Sequence, residues 1–271
     1  PVSMGIDTWA VDYVLLDEKD QVLGKTYGYR DGRTQGVDED VYKIISEEEL
    51  YSRTGIQKQS FNTIYQLMAV KKNNPEHLKA AKNFLMLPDY FHFLLTGQKC
   101  SEYTNATSTQ LINAQTNDWD RELIERLGYP QEMFLPLSQP GTLVGSFTKE
   151  IEEEVGFSCE VVLPATHDTG SAVMALPGEG DKNLYISSGT WSLMGIENKT
   201  AICTEESRKR NFTNEGGYEY RYRYLKNIMG LWMIQSVRKE LENKYSFAEL
   251  CAMASRRSDF PSRVDVNDPV F

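Results

Sequence analysis

The apolar run Val161-Val162-Leu163, followed after Pro164 by Ala165-Thr166-His167-Asp168-Thr169-Gly170-Ser171-Ala172, constrains this chain more than any other stretch. Apolar, β-branched residues read as a strand, and small residues directly after a strand read as a turn that starts a helix near Gly170. An acidic helical segment, 149–155, stops at Gly156 just before that strand. Helix, strand, turn and helix in succession argue for an α/β fold in which one carboxylate, Asp168, is delivered at a strand end.

The rest of the chain carries the same mixture. Residues 2–6 and 12–17 read as strands, and the polar turn Glu18-Lys19-Asp20 before 21–24 suggests the edge of a β-meander. A helix over 47–53 has Ser46 at its head and Gly55 at its end. Phe61, Ile64, Leu67 and Met68 share one helical face up to the polar stop before Pro75, and another helix is expected from His77 into Phe84. The nearly all-apolar segment 88–97 reads as a buried helix closed by Gly97, and Leu123, Ile124 and Leu127 mark a shorter one. Strands over 184–187 and 192–197 precede a helix from about Leu231 through Ile234, Val237 and Leu241. The Pro/Gly segment 176–181 divides the chain into domains 1–176 and 182–271, with the cleft between them the natural ligand site.

Composition removes several classes of function. A chain of 271 residues with 40% hydrophobic and 11% aromatic content can fill a core. Twenty-nine basic against 39 acidic residues give a net charge of −10, and the basic residues are scattered, so the cationic footprint of a nucleic-acid partner is missing. No stretch approaches the roughly 18 to 20 apolar residues that span a membrane, and no leader is visible, so a cytoplasmic protein is expected. Cys100, Cys159, Cys203 and Cys251 are too widely spaced for a metal pair or a disulfide framework and read as reduced thiols. His77, His92 and His167 lack partners at ligand spacing, so no metal ligand is assigned. The chain opens inside an apparent strand and stops without a terminal helix, which suggests a fragment of a longer protein.

Three segments could carry chemistry. Asp168 can serve as a base toward a substrate hydroxyl or can cap the helix it precedes. Ser187-Ser188-Gly189-Thr190 can offer N–H groups and hydroxyls to a phosphate, or can be a tight hairpin with glycine at its turn. Trp9, in Gly5-Ile6-Asp7-Thr8-Trp9-Ala10-Val11-Asp12, can cover the C–H face of a sugar or can be core. Tyr29-Arg30-Asp31-Gly32-Arg33 reads as an ordinary ion-pair cluster. Asn227 and Gln235, eight residues apart, would share a helical face, and taken alone they read as caps or surface amides. A carboxylate base with a phosphate-accepting turn suggests phosphoryl transfer to a sugar hydroxyl, a reaction that uses Mg²⁺ to offset charge.

Taken in order, the segments at 5–12, 29–31, 62–67, 86–90, 102–107, 167–169, 187–192, 213–217 and 225–232 resemble the FGGY carbohydrate kinases. That resemblance implies an actin-like (ribonuclease H-like) two-domain sugar kinase fold, both domains incomplete, with the sugar held by the first domain and ATP by the second. It implies Asp168 as the catalytic base, with Ala10, His167, Thr169 and Asn227 as substrate contacts and Trp9 beside them. Thr190, Gly189 and Gln235 fall to the nucleotide. The implied partners are a small ketose, Mg²⁺ and ATP, with no nucleic acid or membrane and an undefined oligomeric state. The expected reaction is phosphorylation of L-rhamnulose at O1; another ketose, or a non-catalytic sugar-binding module, are the alternatives. Ala10 departs from the glycine usual at its position. The family's first glycine-rich phosphate turn would precede Pro1 and its later adenosine segment would follow Phe271, so the isolated chain is expected to have little kinase activity.

Overall fold

The computed structural model describes residues 1–177, 183–189, 191–257 and 259–263. Near the expected base, Ser3–Met4 pairs in parallel with Glu160–Val162, which pairs antiparallel with Leu143–Ser146. Tyr13–Leu16 pairs antiparallel with Asn83–Met86 in a separate ladder. The expected meander forms only in part: the first two strands join different sheets, while residues 21–23 turn back on Tyr13–Leu16 through a bridge from Val22 to Leu16, with Leu23 N donating to Leu15 O at 2.9 Å and Asp17 N to Gln21 O at 3.0 Å. All four residues of Tyr13–Leu16 are buried, so the strand needs an apolar partner, and Phe84-Leu85-Met86 is one while Val22 is exposed.

The same demand ends the helix expected over 77–84. It forms as Pro75–Ala80 only, because Phe84 through Met86 are fully buried as strand. A second, partial reversal concerns Leu87–Thr96: its most buried positions include the polar Asp89, His92 and Thr96, while Tyr90 and Phe93 pack beside Leu16 and Leu85 and only Phe91 and Leu94 are exposed. Each of these polar side chains has a partner, with Asp89 accepting from Glu102 N, His92 Nε2 from Ile6 N, and Thr96 donating to His92 O. The main core packs Ile64, Leu67 and Met68 of the helix Thr63–Asn73 against Phe84, Leu111, Trp119 and Phe134.

Beyond the base, an antiparallel sheet runs in the order Phe212–Gly216, Tyr222–Met229, Trp191–Asn198, Leu184–Ser188. Asn227 thus lies on a strand and Gln235 on the helix Trp232–Glu240, so the shared helical face expected for them does not exist. The sheet docks on the first part of the chain through hydrogen bonds that each use a main-chain group of the sheet. Asn214 N donates to Gly55 O at 2.9 Å, Tyr51 Oη to Phe212 O at 2.8 Å, and Gly216 N to Thr107 Oγ1 at 2.9 Å. Gly55 closes its helix in the left-handed region, and a Cβ there would lie 2.8 Å from Asn214 Nδ2. A Cβ on Gly216 would lie 2.6 Å from Thr107 and from the Tyr103 ring, so glycine sets how near the sheet comes. The boundary segment 178–182 lies outside the described residues.

Candidate active site

Asp168 is placed by two clamps on the residues before it. On one side the chain runs parallel to 6–9, with Thr8 N donating to Thr166 O and Asp168 N to Thr8 O, both at 2.9 Å. On the other side stands the fully buried Glu102 carboxylate, which accepts from Thr166 N at 3.0 Å and Thr166 Oγ1 at 2.7 Å. The same carboxylate accepts from Thr104 N, Thr104 Oγ1 and Asn105 N, so it ties the helix Tyr103–Thr107 to the base loop. Burial pushes its pKa up and the hydrogen bonds pull against that. Small residues are required here because Ala165 and Thr166 are entirely enclosed.

Asp168 is the first residue of the helix Asp168–Met174, and the N-cap position belongs to His167, whose side chain makes no capping bond. Asp168 nonetheless takes up a first-turn N–H, so a helix-starting role and an open carboxylate coexist in one residue. Its carboxylate accepts from Thr169 N at 2.6 Å, and its side chain is 57% exposed to a cavity of about 450 Å³.

That cavity gathers most of the residues expected from sequence. Trp9, Ala10, His167, Thr169, Gly189 and Asn227 line it together with Asp168. Trp9 is not core: its ring is 48% exposed, and its Nε1 donates to Asp12 Oδ2 at 2.7 Å. Burial raises the Asp12 pKa against the bonds from Trp9, Tyr29 N and Gln66. Between them Val11 has φ of 68°, and Asp12 N donates back to Ala10 O, a tight turn that is costly for a β-branched residue. Ser108 Oγ accepts from Val11 N, and Thr63 Oγ1 and Gln66 Nε2 both donate to Val11 O, so three side chains hold the turn. The ion pair expected in 29–33 does not form. Asp31 caps a short turn by accepting from Arg33 N, and the Arg33 guanidinium donates to Gln66 Oε1.

On the opposite wall Leu184–Ser188 pairs antiparallel with Trp191–Asn198, with Ser188 opposite Ser192, as the hairpin alternative requires. Gly189 N donates to Trp191 O at 2.8 Å, so this N–H is already used and is not offered to a phosphate. Small side chains remain there, with Ser187, Ser188 and Gly189 facing the cavity. Thr190 lies outside the described residues. Gln235 is exposed on its helix and does not line the cavity.

Four residues that sequence reasoning did not single out complete the site. Gln57 lines the cavity and its Oε1 accepts from Asn227 Nδ2 at 3.0 Å. Glu102 is the buried clamp described above. Glu215 and Arg223 face one another across neighbouring strands, and both reach His167 Nδ1, Arg223 Nη2 at 3.0 Å and Glu215 Oε2 at 3.5 Å. Burial, with the Arg223 charge beside it, holds His167 well below the usual imidazole range, and burial raises Glu215. A strand pattern over 212–229 would have paired Glu215 with Arg223, but Asn, Gly and Arg obscure the alternation there.

Asp89, His92 and Cys100 also come together, with one ligand-type atom from each within 4.8 Å of the others, a grouping their spacing did not disclose. In this grouping His92 Nε2 accepts from Ile6 N, which places the imidazole proton on Nδ1, and burial beside Asp89 pushes the Cys100 thiol up.

A cleft between an α/β layer and an antiparallel sheet, with a helix-initiating carboxylate on its floor and small residues on its far wall, defines the actin-like two-domain kinase fold. Solved structures agree: a ligand-bound xylulose kinase from Lactobacillus acidophilus superposes with a TM-score of 0.83 at 16% identity, over 94% of this chain and 52% of that one. A Plasmodium falciparum glycerol kinase with ADP gives 0.75 at 15% identity, over 92% and 51%. Sequence narrows the class. The model of the N-terminal domain of the FGGY family of carbohydrate kinases matches residues 1–175 and that of its C-terminal domain residues 184–271, and the chain belongs to this family. Proteins named rhamnulokinase from Halalkalibacterium halodurans and Oceanobacillus iheyensis are 59% and 56% identical over all 271 residues. The chain spans 58% and 57% of their lengths.

Proposed function

We propose that the protein containing this chain transfers the γ-phosphoryl group of ATP to O1 of L-rhamnulose, with Asp168 as the base. The observation that carries the reading is the exposed Asp168 carboxylate on the cavity floor, fixed through Thr8 and Glu102 and flanked by Trp9 and His167. Identity with proteins named rhamnulokinase favours L-rhamnulose over other ketoses. Residues 1–176 would supply the sugar side and 182–271 part of the nucleotide side.

The two walls suit different ligands. Trp9 presents an apolar ring face with its N–H already bonded, as the C–H face of a sugar requires, while Ala10 contributes one methyl and its backbone. Asn227, steadied by Gln57, and Thr169 would orient hydroxyls. The wall of Ser187, Ser188 and Gly189 is small enough for a polyphosphate to approach and has no carboxylate to repel it, so it fits Mg·ATP, whose bound form supplies the phosphoryl group and the charge neutralisation. Asp168 would accept the O1 proton as the bond to phosphorus forms. Thr190 would serve the phosphates and Gln235 the nucleotide after closure of the two halves.

The test is ADP release by the full-length protein with Mg·ATP and a panel of ketoses. Turnover should peak on L-rhamnulose, and Asp168→Asn should lower kcat by at least about 100-fold. Turnover preferring another ketose would replace the substrate, and no turnover with any ketose would leave a sugar-binding module.

A further inference from the structure

We infer that Arg223 is a positioning residue that fixes His167 as the Nε2–H tautomer, so that toward a ligand bound beside Asp168 the ring acts only as a donor. The argument begins with donor inventory. A guanidinium has five N–H donors and no lone pair to offer, so an imidazole nitrogen 3.0 Å from Arg223 Nη2 must accept. That nitrogen is Nδ1; the single proton of the neutral ring is therefore on Nε2.

The groups facing the ring come from three elements: Arg223 on Tyr222–Met229, Glu215 on Phe212–Gly216, and Asp168 on the helix following His167. Glu215 Oε2 could take a proton from Nδ1, but it stands 3.5 Å away while Nη2 stands at 3.0 Å, so a hydrogen on Nδ1 would oppose the nearer guanidinium hydrogens. Glu215 instead lies 3.2 Å from Arg223 Nη1 and offsets its charge. Arg223 is 1% exposed and its Nε donates to Gly216 O at 3.2 Å, so the guanidinium is fixed in plane before any ligand arrives. Burial and the Arg223 charge keep the ring neutral, consistent with a single proton.

The proton has a direction. His167 Nε2 lies 3.5 Å from Asp168 Oδ1, so a donor and an acceptor open side by side onto one cavity. Two substrate oxygens on adjacent carbons satisfy such a pair: a hydroxyl that gives its proton to Asp168, and a neighbouring acceptor that receives from His167. An α-hydroxy ketone or its cyclic form carries that arrangement. This substrate statement rests on the proposed kinase reading, whereas the tautomer does not.

Nitrogen NMR of the chain labelled with ¹⁵N-histidine separates the two. The chain has three histidines, and a His167→Gln sample assigns the signal. Nε2 should carry the proton, with no change from pH 8 to pH 5. An Nδ1–H signature, or a ring that becomes charged near pH 6.5, would overturn the inference even if the enzyme is active. Arg223→Met should let His167 titrate and mix tautomers, and Arg223→Lys should preserve the wild-type spectrum; if the methionine variant does not fold, the wild-type spectrum alone decides. In the full-length enzyme Arg223→Met should lower kcat/KM for the ketose at least about tenfold and add an acid limb that the wild-type profile lacks. An unchanged pH profile would restrict Arg223 to a structural role, and a correct tautomer without turnover would sink the kinase reading alone.

Discussion

At the scale of single residues, two buried ionisable groups have measurable signatures. His92 is enclosed and its pKa falls to about 4 through burial, against 6.5 for the free side chain. Between these values the unfolded chain binds a proton that the folded chain refuses. The contribution is therefore complete above pH 6.5 and is lost as pH falls toward 4, up to about 3 kcal/mol. Urea midpoints at pH 7.5 and 4.5 should differ less in His92→Gln than in wild type; equal differences would show that His92 does not titrate this way. Glu102 behaves as an acceptor hub, with donors from Thr104, Asn105 and Thr166 converging on one carboxylate. Glu102→Gln turns an amide N–H toward those donors and should cost about 3 kcal/mol in chemical denaturation. Such groups divide legibility in the sequence. Asp168 was visible because small residues after an apolar run expose a side chain, whereas Arg223 and Glu102 were not, since their roles depend on partners 56 and 64 residues away.

At the scale of elements, caps were the most readable feature. Ser46 Oγ accepts from Glu49 N and Gly55 closes the same helix in the left-handed region, as the residue types alone required. Ser46→Ala should lower stability by about 1 kcal/mol, read as a shift in thermal midpoint. Apolar runs were less readable, because period cannot distinguish a strand buried on both faces from a helix. Phe84-Leu85-Met86 went to the strand, and in Leu87–Thr96 only Phe91 and Leu94 were left outside, because polar partners at Ile6 and Glu102 claimed the most buried positions while Tyr90 and Phe93 pack beside Leu16 and Leu85. Strands holding Asn214, Glu215, Arg223 and Asn227 were invisible because polar residues break their alternation, Glu215 and Asn227 at the cavity and Asn214 and Arg223 buried in bonds to main-chain carbonyls. Gly216 governs how such a strand docks. Gly216→Ala should cost about 1 to 3 kcal/mol, since both obstacles, Thr107 and Tyr103, are themselves buried. A midpoint within error of wild type would show that the sheet can withdraw without loss.

At the scale of the molecule, the sheet and the first part of the chain share more than a cavity. Gly55 with Asn214, Gln57 with Thr213 and Asn227, Thr107 with Gly216, and Ala114 with Tyr222 are joined by hydrogen bonds across the junction. Such a seam should make unfolding cooperative, with far-ultraviolet dichroism and tryptophan emission tracing one coincident transition; separated midpoints would mean that the halves melt independently. The order of motifs along the sequence revealed this architecture, but the seam had no sequence signal, because it joins residues more than 100 positions apart, mostly one side chain to one main-chain group at a time. One feature of the cavity has an optical consequence. The Trp9 indole is half in solvent, hydrogen-bonded to a carboxylate and pinned beside a strained turn, so the chain carries a fluorophore whose surroundings change whenever the floor is covered. If a ketose binds as proposed, Trp9 emission should shift to the blue and be shielded from iodide, a colour readout of occupancy that needs no turnover; unchanged emission on saturation would place the sugar elsewhere.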